Sequence, residues 1–336
     1  MTLSPSELQY QLKHINDDRS SGIVISHAVV LPLAYIAVVA RFVSRRLCKA
    51  RIEIDDYTIV AALIFATGEA IGGLLCVANG GAKHVITVKD PVKLNKLIFA
   101  TEIFYSPAIA AVKISVLLLY RRIFPGDTFR KILWIVGCFI LCYTVTQQLV
   151  TIIQCIPVSG AWDPAVHMRA KCIQLNLAWV IMASLNVITD AVTLCLPLPL
   201  LWRLQIDKER KYGLIGIFLL GGFVCVASIY RVPKVYSLAL SDPGWTDTDP
   251  CIWSMVEVCV AIVCACLPTL KVILNWILHG KRVASTGPDV TSTGLAHYPP
   301  LTPDDRQPGY RGKVSDVQLD FVKVARSNWA HVPPSR

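Results

Sequence analysis

The stretch GIVISHAVVLPLAYIAVVARFV, residues 22–43, decides the fold. Its one formal charge, Arg41, stands near its end. About 20 mostly apolar residues are needed for a helix to cross a hydrocarbon core of about 30 Å. Lipid offers the backbone no hydrogen-bond partner, so a crossing segment is either a helix or a strand of a closed barrel. Residues 22–43 do not alternate polar and apolar with period two, and they predict a helix. Six more such runs follow: Tyr57 to Asn79, Leu97 to Tyr120, Ile132 to Gln154, Leu177 to Leu201, Gly213 to Val235 and Cys251 to Leu278. The expected fold is an all-α membrane protein, a bundle of seven transmembrane helices.

Composition agrees. The chain has 336 residues, of which 54% are hydrophobic and 17% charged, with mean hydropathy +0.52. A soluble domain of this length carries far more polar surface. In a soluble protein the net charge of +10 would suggest a nucleic-acid partner. Here Lys and Arg sit mostly in the loops beside the apolar runs, so they read as topology and lipid-headgroup charges, with no nucleic acid expected. Residues 1–21 are polar, with Asp17 and Asp18 and no visible cleavable signal, so the first run is expected to be the insertion signal.

Basic residues set the expected orientation. The first loop holds Arg45, Arg46, Lys49 and Arg51, the third Arg121, Arg122, Arg130 and Lys131, and the fifth Arg203, Lys208, Arg210 and Lys211. Lys281 and Arg282 follow the last run. The positive-inside rule then places these loops and the C-terminus in the cytoplasm and the N-terminus outside, against the pull of Lys83, Lys89, Lys93 and Lys96 in the second loop. Three parts result: a short extracellular segment 1–21, a transmembrane domain 22–280, and a mostly disordered tail 281–336 rich in Pro, Ser, Thr and Asp. The plasma membrane is the expected location.

Ionisable groups at membrane depth are costly unless paired or hydrated. Glu69, Glu102, Gln147, Asn186, Asp190, Arg231 and Glu257 come from six different runs, and the expected topology brings most of them to the outer half of the bundle. They read as one polar network or ligand pocket, with Arg231 neutralising one or two carboxylates. The plain alternative is a buried ion-pair network; a proton or ion path is a third reading. Lys113 lies three turns inward of Glu102, too far to pair with it, and either snorkels or meets Asp190. Lys271 stands too near the last run's inner end to carry a chromophore. His84, after Gly80-Gly81, reads as a solvated loop residue.

Most of the twelve cysteines lie within the runs. Cys76, Cys155, Cys172 and Cys251 sit at the outer face, where an oxidising compartment permits bridges. Cys155 with Cys172, flanking the fourth loop, is the first expected pair, and Cys76 with Cys251 would then be the second. Four cysteines allow three pairings, and spacing alone does not choose. Cys48 beside Arg45 and Arg46 is a weak palmitoylation signal. No catalytic triad, CxxC or His-rich spacing appears, so no enzymatic activity, cofactor or metal is expected.

An ordered set of short stretches carries a resemblance. It runs through Ala40-Arg41-Phe42-Val43-Ser44-Arg45-Arg46, Asp55-Asp56-Tyr57, Gly80-Gly81 with His84, Glu102, Tyr105 and Lys113-Ile114-Ser115. It continues with Leu119-Tyr120-Arg121-Arg122-Ile123-Phe124, Cys155-Ile156-Pro157, Trp162-Asp163, Cys172, Asn186, Asp190 and Pro197-Leu198-Pro199. It ends with Gly221-Gly222-Phe223, Ser228-Ile229-Tyr230-Arg231, Trp253-Ser254, Glu257 and Leu267-Pro268. Over about residues 25–279 the chain resembles the fungal rhodopsin-domain family of seven-helix membrane proteins. That family includes receptor-like proteins of appressorium development and members in toxin biosynthetic clusters. The resemblance implies a fungal membrane protein with its N-terminus outside. Tyr120-Arg121-Arg122 stands where animal rhodopsin-like receptors have Asp/Glu-Arg-Tyr. The expected role is receptor-like: a small molecule or surface cue meets the outer polar residues, and a cytoplasmic signalling partner meets loops 3 and 5. The alternative is a transporter or accessory membrane protein of a secondary-metabolite cluster.

Overall fold

A computed structural model describes residues 5–47, 49–124, 126–199, 208–236 and 242–279. Cys48, Leu201 and the expected tail from Lys281 onward lie outside the described residues, as does the side chain of Lys271. The long helices are α2 (Ser20–Leu47), α3 (Ile54–Ala78), α4 (Pro91–Ile123), α5 (Asp127–Ile152), α7 (Leu175–Cys195), α8 (Lys208–Tyr236) and α10 (Thr248–His279). Shorter elements join them: α1 (Pro5–Lys13), β1 (Cys155–Ile156), α6 (Pro164–His167), β2 (Lys171–Cys172) and α9 (Pro243–Thr246). Contacts divide the chain into a compact unit, Met1–Ile273, and a second unit, Leu274–Arg336, whose described residues are the end of α10.

Six segments are long and apolar enough to cross a membrane: α2, α3, α4, α5, residues Leu177–Cys195 of α7, and Pro243–Thr269 across α9 and α10. In α8 the apolar segment among the described residues is shorter, Leu219–Pro233. The surface pattern is inverted relative to a soluble bundle. Along α2 the exposed stripe is Ile25, Val29, Ile36 and Val39, and along α5 it is Ile135, Phe139, Val145 and Leu149. Stripes this apolar at helical spacing suit hydrocarbon, not water.

The interior is built on small side chains. Ala34, Ala37, Ala62, Ala66, Ala70, Ala108 and Ala265 are buried where α2, α3, α4 and α10 meet. Small residues let helix backbones approach closely in lipid, where apolar burial alone gives no drive to associate. α3 and α4 share an extensive contact. A Cβ at Gly68 would stand 2.6 Å from the Phe104 ring, and one at Gly72 would run into Thr101.

Local signals set the helix ends. Asp90 caps α4 by accepting from Lys93 N at 3.0 Å, with Pro91 in the first turn, so α4 begins before the expected Leu97. The fifth run ends early: α7 stops at Cys195 rather than Leu201. Pro197 follows, and a proline has no N–H to give the preceding turn. After α3 the chain turns through Gly80 at φ 94° and Ala82 at φ 65°. Ala82 N then donates to Gly244 O at 2.9 Å, and Ala82 O accepts from Arg19 N at 3.1 Å. These bonds tie the second loop to α9 and to the residue before α2.

Cys155 and Cys172 form a disulfide and pair across the two-stranded antiparallel β1–β2 ladder. The second expected bridge is not made: Cys76 and Cys251 are free cysteines. Both line one cavity of about 20 Å³ at that end of the bundle, with Thr101, Asp247 and Thr248. Each stands on a long helix, α3 or α10, whose position is fixed by packing along its whole length. The first pair, by contrast, is held by the strand ladder.

Candidate functional site: two buried charge networks

The inward faces of α4, α7, α8 and α10 hold one polar network. Lys113 Nζ on α4 lies 3.0 Å from Asp190 Oδ1 on α7. It also donates to Asn186 Oδ1 and Thr189 Oγ1, both at 2.7 Å. Asn186 Nδ2 donates to Glu257 Oε1 on α10 at 2.6 Å. Tyr105 Oη donates to Glu257 Oε2 at 3.2 Å. Arg231 on α8 places Nε 3.5 Å from Glu257 Oε2, donates to Ser254 Oγ at 3.0 Å, and lies over the Tyr105 ring at 4.4 Å. Ser228 Oγ donates to Asp190 Oδ2 at 3.1 Å. Glu257 is fully buried and Asn186 is 1% exposed.

Sequence explains the convergence. Asn186, Thr189 and Asp190 fall three and four residues apart, so one face of α7 carries all three. Ser228 and Arg231 share a face of α8 by the same spacing, as do Ser254 and Glu257 on α10. Each ion taken out of water carries a penalty of several kcal/mol, offset only when good geometry satisfies nearly every donor and acceptor. The network meets that condition for Lys113 and Asp190. It leaves Glu69 Oε2 buried without a hydrogen-bond partner.

The expected set divides. Asn186, Asp190, Arg231 and Glu257 are bonded together. Glu69, on α3, is buried but makes no hydrogen bond through Oε2. Glu102 is half-buried and is bonded to none of these four side chains. Gln147 Oε1 has no partner, while its neighbour Gln148 donates to Ile103 O at 2.8 Å. Of the two readings of Lys113, the Asp190 pair is the one formed, and snorkelling is not. Tyr105, Thr189, Ser228 and Ser254 complete the network without having been marked by charge. Two concavities at the bundle's ends are lined by none of Lys113, Asn186, Asp190, Arg231 and Glu257.

A second network lies where α2 ends and α3 begins. Arg41, with no exposed surface, donates from Nε to Asp56 Oδ1 at 2.7 Å and from Nη2 to Asp55 Oδ2 at 2.6 Å. Its Nη1 donates to Ala265 O on α10 at 2.9 Å. Arg45 reaches the same carboxylates at 2.8 and 3.3 Å. Ser115 Oγ on α4 donates to Asp55 O at 2.7 Å. Counted as the end of the first run and as a loop charge, Arg41 and Arg45 were not expected to be buried. Their four-residue spacing beside an Asp pair, one short connector away, is the signal that marks them.

At the opposite end His84 corrects its expectation. It is 1% exposed, its Nδ1 lies 2.6 Å from Asp242 Oδ2, and Trp245 stacks on it at 4.2 Å. Arg19 also lies over the Trp245 ring, at 4.2 Å. The turn through Gly80 and Ala82 folds His84 back beneath α9 instead of leaving it in solvent. A possible metal-ligand triple, Cys155, His167 and Cys172, occurs nearby. Two of its sulfurs are spent in the disulfide, and a metal binds thiolate. The triple does not fit a resident ion.

Comparisons with known proteins follow this layout. The model of the fungal rhodopsin domain matches residues 40–276. A SAT4 family membrane protein of Emericella nidulans is 34% identical over 57% of this chain and 49% of its own length. The chain thus spans about half the length of that relative. The polyenoic acids biosynthesis gene cluster protein Ba17b of Metarhizium anisopliae is 28% identical over 82% of this chain and 80% of its own. The satratoxin biosynthesis SC1 cluster protein 4 of Stachybotrys chartarum is 29% identical over 56% of this chain and 74% of its own. No solved structure matches the chain. The family match covers more than half of the chain, from Ala40 beside the buried Arg41 through the Glu257 network on α10, and the chain belongs to the fungal rhodopsin domain family.

Proposed function

We propose that this protein is a non-enzymatic, receptor-like membrane protein whose seven long helices all cross the bilayer, with the N-terminus outside and the C-terminus in the cytoplasm of the cell it serves. A small molecule or surface cue acts on the outer half of the bundle, and a cytoplasmic partner meets loops 3 and 5 at the plasma membrane. The observation that carries this reading is the Lys113–Asp190–Asn186–Glu257–Arg231 network, which joins α4, α7, α8 and α10. Three of these helices contain an internal proline: Pro107 in α4, Pro233 in α8 and Pro268 in α10. A ligand that bonds better to one arrangement of such a network shifts the helices it joins. Binding assays on purified protein in nanodiscs, with thermal shift as readout, test the reading. Stabilisation by a metabolite, lost in Glu257→Gln but not in Glu102→Gln, is the expected result. A broad panel in which nothing stabilises the wild type would overturn it.

A second reading is supported by a different observation. Ba17b, named for a polyenoic acid biosynthesis cluster, is similar along 80% of its length. On this reading the chain is a transporter or accessory membrane protein of a secondary-metabolite pathway. Substrate uptake driven by a proton gradient in reconstituted vesicles would favour it over the receptor.

A further inference from the structure

A cleft of about 230 Å³ opens between the start of α3 and the end of α4, lined by Glu53, Ile54, Asp55, Leu118, Arg121 and Arg122. Its charges are unevenly committed. Asp55 is already held by Arg41 and Arg45 at 2.6 and 2.8 Å. Glu53 is half in solvent and reaches only one edge of Arg122, with Nη2 at 3.3 Å from Oε1. The other edge, Arg122 Nη1, stands 4.0 Å from Asp55 Oδ1, beyond hydrogen-bond length, and has no hydrogen-bond partner. Arg121 is exposed, with its guanidinium 5.8 Å from the Trp134 ring. The cleft therefore offers the exposed guanidinium of Arg121, and at its wall Arg122 Nη1 is a buried donor without a hydrogen-bond partner. Exposed Lys49 and Arg51 on the adjoining connector add positive potential.

The walls beside it are apolar and face outward. Ile54 is 62% exposed at the cleft, and Tyr57 is 66% exposed one turn along α3. Trp134 and Ile135 are exposed on α5, beside Arg121. A headgroup between arginines, with acyl chains along apolar helix faces, is the arrangement an anionic phospholipid makes at the end of a membrane bundle. Guanidinium presents paired N–H groups that match phosphate oxygens.

We propose that this cleft is a binding site for the phosphate headgroup of an anionic phospholipid, held by Arg121 and Arg122 with its chains against Ile54, Tyr57 and Trp134. The site is independent of the receptor reading and of which leaflet faces it. A phosphate on Arg122 would compete with Glu53 and so bear on the Arg41–Asp55–Asp56 network one residue deeper.

Native mass spectrometry of the full chain, exchanged from phosphatidylcholine nanodiscs containing phosphatidic acid, tests the proposal. The wild type is expected to retain phosphatidic acid over phosphatidylcholine. Arg121→Gln, an exposed position whose change leaves the fold intact, is expected to lower retention about tenfold, the loss of roughly one charge-assisted hydrogen bond. Arg122→Gln should do the same, and Arg46→Gln, outside the cleft, should not. Equal retention by wild type and Arg121→Gln would overturn the proposal. Displacement of the lipid by equimolar glycerol phosphate would also overturn it, since the cleft would then read free phosphate rather than lipid.

Discussion

Lys113 Nζ lies 3.0 Å from Asp190 Oδ1, with both side chains under a tenth exposed, and this contact joins α4 to α7 in the centre of the bundle. The two residues are 77 apart in sequence, and each is the other's ion-pair partner. Removing one partner of a buried pair leaves an uncompensated charge. Replacing both with apolar groups does not.

Lys113→Met is therefore expected to destabilise the protein by about 3–5 kcal/mol. The double variant Lys113→Met/Asp190→Leu should recover much of that loss. Thermal unfolding in detergent compares the two. A double variant no more stable than the single would mean that the Asn186 and Thr189 bonds, not the ion pair, dominate.

The two arginines of the Asp55–Asp56 network should differ. Arg41 holds both carboxylates at 2.6 and 2.7 Å and also bonds Ala265 O, whereas Arg45 reaches them at 2.8 and 3.3 Å. Arg41→Gln should cost at least about 3 kcal/mol, and Arg45→Gln about half as much. Expression and melting temperature in detergent report the order, and a reversed order would contradict this account of the network.

The cysteines should separate cleanly. Cys155 and Cys172 close a loop with a sequence separation of 17. Their bond is expected to contribute about 3 kcal/mol through the chain entropy it removes from the unfolded state. Cys155→Ser should lower the melting temperature to that of the reduced wild type. Cys76→Ser/Cys251→Ser should leave the reductant sensitivity unchanged, and its loss in that variant would show a second bridge.

Two glycines make opposite cases. A Cβ at Gly81 would stand 2.8 Å from both C and O of Cys76, and backbone atoms cannot step aside. At Gly222 nothing lies within 4 Å. Gly81→Ala is expected to destabilise by about 1–3 kcal/mol. Gly222→Ala should be neutral or gain up to about 1 kcal/mol, since alanine favours helix more than glycine. Melting curves of the two variants measure the contrast.

Sequence by itself fixed the solvent of this protein and its secondary structure. Residues 22–43 and five of the runs after them are too apolar and too long for water, and in lipid the backbone must bond within each segment. The same reasoning marked Asn186, Asp190, Arg231 and Glu257, because an ionisable group in such a run needs a partner whatever the fold. The boundary of the fifth run was not read: hydropathy carries it on to Leu201, whereas α7 stops at Cys195 just before Pro197.

The partners themselves came only with tertiary structure. Which carboxylate Lys113 meets depends on how α4 and α7 are rotated, and hydropathy carries no rotation. Arg45 counted as a loop charge and Arg41 as the charged end of the first run until the connector to Asp55 and Asp56 brought both carboxylates against them. Cys76 and Cys251 share a cavity yet remain thiols, because helix packing rather than the bond sets their separation. His84 left solvent only because Gly80 and Ala82 take positive φ and fold it beneath Trp245. Burial in lipid is a property of a segment and can be read along the chain, whereas pairing inside the bundle depends on how separate helices are turned toward one another.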